Sequence, residues 1–151
     1  MQSEPRDIIS ERFLNEIKNS SLSSSSTIRV AVLGGYSGEP ELLILQDHYK
    51  LEVTHFGVEG IVEHGSIYLD LNDPPINIEI YKSGFDLVLC SQVLEHLWNV
   101  NSAFECFTFL LRQSGYLWVA CPFSNFLHGS PAFYSAGYSP DLLKKWRRSM
   151  D

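Results

Sequence analysis

FDLVLCSQVLEHL, residues 85–97, is the stretch that decides the fold. From Phe85 to Cys90 the run is apolar except for Asp86, which is long enough for a strand covered on both faces and too short for a core helix. Ser91 and Gln92 follow at once, and Leu94, Glu95, His96 and Leu97 open a helical pattern behind them. A buried strand that runs directly into a helix start belongs to an open α/β sheet, whose ligands sit in the crevice outside the carboxyl ends of the strands. Position alone therefore makes Ser91 and Gln92 candidate ligand contacts, with Gln92 the first.

Working outward, the same alternation recurs. Residues 28–33 read as a strand that stops at the Gly34, Gly35 pair, and residues 53–58, 66–71 and 116–120 as further strands. Helical spacing is expected over 7–19, 39–49, 94–111 and 141–148, and Pro40 fits a first turn, where no amide donor is needed. Residues 20–27 are nearly all serine, which builds no core and competes for its own backbone bonds, so they are expected as a mobile connector. Strands alternating with helices imply a doubly wound, mostly parallel sheet. The expected organisation is an N-terminal helix and connector over 1–27 and one α/β domain over 28–151.

Composition bounds the function. The 151 residues carry a net charge of −7, which disfavours a phosphate backbone as partner, because nucleic-acid binding relies on clustered Lys and Arg. Lys144, Lys145, Arg147 and Arg148 around Trp146 are read as the wet face of a terminal helix. No apolar run approaches the roughly 18 residues of a membrane span, and no targeting signal is visible, so neither a membrane nor a nucleic acid is expected and the cytoplasm is the default compartment. Cys90, Cys106 and Cys121 are too irregularly spaced for a zinc site and are expected as reduced, buried thiols.

The turn Gly34, Gly35, Tyr36, Ser37, Gly38 follows the first strand, where glycine permits positive φ and close approach of a ligand to the backbone. A dinucleotide turn wants Gly-x-Gly-x-x-Gly, and Leu33 stands where its first glycine should be. Glu39 and Glu41 open the following helix and would repel a pyrophosphate, whereas they are compatible with the cationic sulfonium and ammonium of S-adenosylmethionine. A nicotinamide-dependent oxidoreductase is disfavoured on both counts. Glu59, about twenty residues past Gly38, is placed to accept ribose hydroxyls from either class of cofactor.

With these residues in view, the chain resembles the class I S-adenosylmethionine-dependent methyltransferases over residues 28–123. The resemblance rests on the turn from Gly34 to Gly38, Glu59, Asp70 with Leu71, residues 85–97 and Gly115. It implies a Rossmann-like sheet of order 3-2-1-4-5 and S-adenosylmethionine as cofactor. By that resemblance Gly34, Gly35, Ser37, Gly38, Glu59, Asp70, Leu71, Ser91 and Gln92 are the cofactor residues. Tyr36 replaces the middle glycine of the family turn, and Val32 stands where a carboxylate often helps to hold the methionine ammonium.

Methyl transfer from a sulfonium is an in-line displacement with a good leaving group, so alignment and exclusion of water suffice and no obligatory triad is expected. His96 is the nearest imidazole and a candidate general base, although packing is its preferred role. The resemblance places acceptor selection in residues 98–101 and 122–139, where His128 and Tyr134 are the polar candidates. The expected activity is methyl transfer to a small-molecule or glycan-like acceptor. The alternative is an inactive methyltransferase-like binding or scaffold module, or a truncated fragment. The family sheet ordinarily closes with an antiparallel pair that this sequence is expected to lack, so self-association through the exposed edge of the fifth strand is a further expectation.

Overall fold

The computed structural model describes residues 4–34, 37–58, 65–121, 135 and 137–148. Five strands, β1 (Ile28–Leu33), β2 (Leu51–Gly57), β3 (Ile67–Tyr68), β4 (Phe85–Ser91) and β5 (Leu111–Ala120), alternate with helices α1 (Glu4–Lys18), α2 (Pro40–Gln46), α3 (Val100–Leu110) and α4 (Pro140–Arg148). They form one sheet of order β3-β2-β1-β4-β5, parallel at every pairing, as the sequence implied.

Side chains alternate across the central strands and feed two cores. On one face Val30, Val32, Leu87 and Leu89 pack with Phe13, Leu14 and Ile17 of α1 and with Leu42 and Leu45 of α2. On the other, Ala31, Leu33, Val88 and Cys90 meet Ala103, Phe104, Phe107 and Leu110 of α3. All but the last residue of β4 is buried, which is why its sequence is a continuous apolar run. Tyr138 and Trp146 extend the second core, and the Tyr138 hydroxyl donates to the Leu94 carbonyl at 2.9 Å.

Asp86 is the polar exception within β4. Its carboxylate accepts from the Arg29 backbone amide at 2.8 Å and from Nε of Arg112 at 2.5 Å, with Arg29 Nε at 3.4 Å. Burial works to raise its pKa, but the Arg29 amide and the two guanidinium groups outweigh burial and hold it below the usual carboxylate value. The clasp ties β1, β4 and β5 together at the amino end of the sheet.

Several expectations are corrected. The serine run is a 3₁₀ turn, Ser21–Ser24, rather than a slack connector: Ser20 caps it by accepting from the Leu22 amide at 3.2 Å, and Leu22 is completely buried. Phe13, Leu14 and Ile17 of α1 share one core with Leu22, β1 and β4. The helix expected from residue 94 begins at Val100, because the Asn99 side chain accepts from the Ser102 amide and caps it there; Leu94–His96 form a separate 3₁₀ turn. β3 keeps only two of the six residues expected for it. β5 starts earlier than expected: Leu111 pairs with Phe85 and Tyr116 with Leu87, so the Ser114, Gly115 turn is an irregularity inside the strand. Ser114 takes a φ of 62° there, and a Cβ on Gly115 would come within 3.0 Å of the Arg112 carbonyl oxygen.

Candidate functional site

The parallel register sets Leu33 beside Cys90, so the glycine turn after β1 and the polar pair after β4 leave the sheet side by side. Gly34 has a φ of 69°, and its amide donates to the Phe56 carbonyl at 2.7 Å. A Cβ at Gly34 would lie 2.7 Å from Val93 Cγ2, so glycine is required both for the backbone angle and for the contact with the chain that follows β4. Gln92 reaches a φ of 56° without being glycine, and its amide donates to the Ala120 carbonyl at 2.6 Å. Ser83 and Ser114 are the other non-glycine residues at positive φ among the described residues.

Beneath the turn, Val32, Glu39, Glu41, Leu89, Ser91 and Trp118 line a cavity of about 10 Å³. Glu39 is 7% exposed and Glu41 2%, so both acidic residues of the helix start are buried. Val32 pairs with His55 on one side and with Leu89 on the other, and Leu89 pairs with Trp118, forming a row across the sheet. Glu41 Oε2, His55 Nδ1 and Trp118 Nε1 are buried without a hydrogen-bond partner.

A second, larger space of about 680 Å³ lies between α1 and β5, lined among others by Phe13, Ile17, Gln92, Leu117, Trp118 and Val119. Trp118 borders both spaces and packs its ring 4.9 Å from Phe13.

Of the sequence candidates, Gly34, Ser91 and Gln92 come together at the ends of β1 and β4. Ser91 faces the small cavity, while Gln92 lines the groove beside β5. Ser37 is exposed and Gly38 half-buried in the turn that follows. Asp70 accepts the Asn72 amide at 2.9 Å, and Leu71 is a core residue, 5% exposed. Gly35, Glu59, His128 and Tyr134 lie outside the described residues. His96 is mostly buried, with Nε2 3.9 Å from Glu95 Oε1.

Asn72 was missed. Its side-chain oxygen accepts from the Trp98 and Asn99 amides at 2.9 and 3.0 Å, and its carbonyl accepts from Asn99 Nδ2, which clamps the loop after β3 to the loop after β4. The Asp70, Leu71, Asn72, Asp73 run signalled only a turn. Glu41 had a legible signal, since it falls on the same helical stripe as the buried Leu42 and Leu45.

The thiols offer no nucleophile. Burial, reinforced by the Glu95 charge, pushes Cys90 far up, while burial lifts Cys106 to about 12 and Cys121, with help from Glu95, to about 11. No disulfide forms among them, and the described residues contain no cluster of metal-ligating side chains.

No model of a known protein family and no curated protein matches the sequence. Solved structures do match. A methyltransferase-like protein from Bacillus halodurans, described as a putative methyltransferase, superposes with a TM-score of 0.63 at 14% identity, covering 93% of this chain and 67% of that one. The fold is that of the class I methyltransferases. An S-adenosylmethionine-dependent methyltransferase from Archaeoglobus fulgidus gives a TM-score of 0.60 at 17% identity, over 96% of this chain and 68% of its own. The cyclase SpnF gives 0.63 at 15% identity, over 93% of this chain and 57% of its own, so this methyltransferase fold also serves a different chemistry. No helix among the described residues is long and apolar enough to cross a membrane.

Proposed function

We propose that the notch between the glycine turn and the end of β4 binds S-adenosylmethionine, and that the protein transfers its methyl group to a small-molecule or glycan-like acceptor. One observation carries the reading: Gly34 and Val93 are in contact, so the ends of β1 and β4 bound a single crevice at the carboxyl edge of the sheet. The residues present fit the group. Gly34 gives the left-handed turn that ends β1 against Val93, and the buried Glu39 and Glu41 favour a cationic ligand over a pyrophosphate.

Ser37, Gly38, Ser91 and Gln92 would hold the cofactor, with Gly35, Glu59 and Asp70 assigned to it by resemblance. The bound cofactor supplies an electrophilic methyl on a good leaving group. What the chain supplies is alignment and exclusion of water. No general base is assigned; His96 sits against Glu95 in a packed loop, and an acceptor that loses its proton without help needs none. The groove between α1 and β5 has the size of a small-molecule site, which supports an acceptor of that class.

A second reading is favoured by Val32, which is 2% exposed and brings no polar atom to the strand end: a binding module that keeps the fold and turns nothing over. Calorimetric titration separates the two readings. Saturable binding of S-adenosylhomocysteine, lost in Gly38→Arg and in Glu59→Ala, together with methyl transfer supports the enzyme. Binding without transfer to any acceptor in a broad panel supports the module, and binding of NADH in place of S-adenosylhomocysteine overturns both.

A further inference from the structure

The small cavity under the glycine turn is defined by what its walls leave unsatisfied. Glu41 Oε2 is an acceptor and Trp118 Nε1 a donor, both buried and both without a partner, on side chains that line the same space of about 10 Å³. Glu41 is 98% buried by its 2% exposure, and an unpaired polar atom at that depth costs about 1–3 kcal/mol. The wall also holds the Glu39 carboxylate, an acceptor, and Ser91, whose hydroxyl can both donate and accept.

The chemistry of this set selects its occupant. An indole N–H only donates and cannot ligate a cation, which removes a metal ion or an ammonium group. The space is about the volume one water requires, and buried waters typically make about three hydrogen bonds to polar groups of this kind. We propose that one water molecule occupies this cavity as a structural part of the protein, donating to Glu41 Oε2, accepting from Trp118 Nε1 and completing its shell at Ser91. The water joins α2, immediately after the glycine turn, to the paired ends of β4 and β5. It makes Trp118, which also borders the groove beside α1, a fixed partition between the two spaces. The inference stands whether or not the notch binds S-adenosylmethionine.

A high-resolution crystal structure of the full chain tests it directly. The expected result is one ordered solvent peak within about 2.6–3.2 Å of both Glu41 Oε2 and Trp118 Nε1. A dry cavity, a direct Glu41 to Trp118 bond, or an occupant surrounded by oxygen ligands as a cation would be overturns the proposal. A double-mutant cycle with Glu41→Leu and Trp118→Phe provides the solution counterpart, because the cycle cancels the packing each change loses on its own. With the water in place, the combined change in the unfolding equilibrium constant falls about tenfold short of the product of the two single changes. Equality with that product contradicts the bridge.

Discussion

Two buried carboxylates at opposite ends of the same sheet are treated in opposite ways. Asp86, at the amino end, accepts from a backbone amide and two arginines. Glu41, at the carboxyl end, keeps an oxygen with no protein partner. The amino end is closed on itself and serves stability. Positive φ occurs at both ends, at Gly34 and Gln92 and at Ser83 and Ser114, but the carboxyl end carries the unsatisfied groups of the small cavity, which natural folds keep where a ligand or solvent completes the structure.

Removing the acid at the closed end should therefore cost most. Asp86→Ala is expected to destabilise the fold by about 2–4 kcal/mol, less than a fully buried pair because Arg29 and Arg112 are partly exposed, and urea unfolding measures it. The same group fixes a pH dependence. Its folded pKa lies below the unfolded value, so its contribution is complete at neutral pH and fades as pH falls through about 4 towards the lower folded value. Asp86→Asn should flatten that part of the stability profile. A profile unchanged by the substitution would break the comparison at its stable end.

At the open end the expected effects are smaller on stability and larger on binding. Gly34→Ala forces a side chain into a left-handed backbone angle and against Val93, at about 1–2 kcal/mol. Adding Val93→Ala should relieve the collision but leave the backbone penalty, so partial rescue sharpens the assignment and full rescue contradicts it. Asn72→Ala unpairs two loop amides and is expected to cost about 1–2 kcal/mol, with faster amide hydrogen exchange at Trp98 and Asn99 as the local signature. Smallest is Tyr138→Phe, which removes one hydrogen bond to Leu94 and should cost about 0.5–1.5 kcal/mol.

The order of the sheet was implied by the resemblance to the class I methyltransferases, whereas the two central strands were legible because each carries its burial in its composition. Residues 28–33 and 85–90 are apolar runs bounded by polar or glycine punctuation, and β1 has the bounds read from sequence. What failed was local and arose from contacts distant in sequence. The serine run is held by Leu22, which reaches a core shared with α1 and β1, and no local pattern announces that burial. The start of α3 was displaced by the Asn99 cap and by Asn72, 27 residues away, whose bonds draw residues 98 and 99 out of the helix. The pairing of Leu111 with Phe85 belongs to register, which hydrophobicity alone does not encode across an irregular turn.

The central claim is that the ends of β1 and β4 form one ligand notch, and amide chemical-shift mapping during titration with S-adenosylhomocysteine tests it most directly. The account predicts that Gly34, Gly38, Ser91 and Gln92 shift together along one saturable isotherm while Arg29 and Arg112, at the closed end, stay still. Shifts confined to one of the two strand ends, or no saturable shift at any of the four, would contradict it.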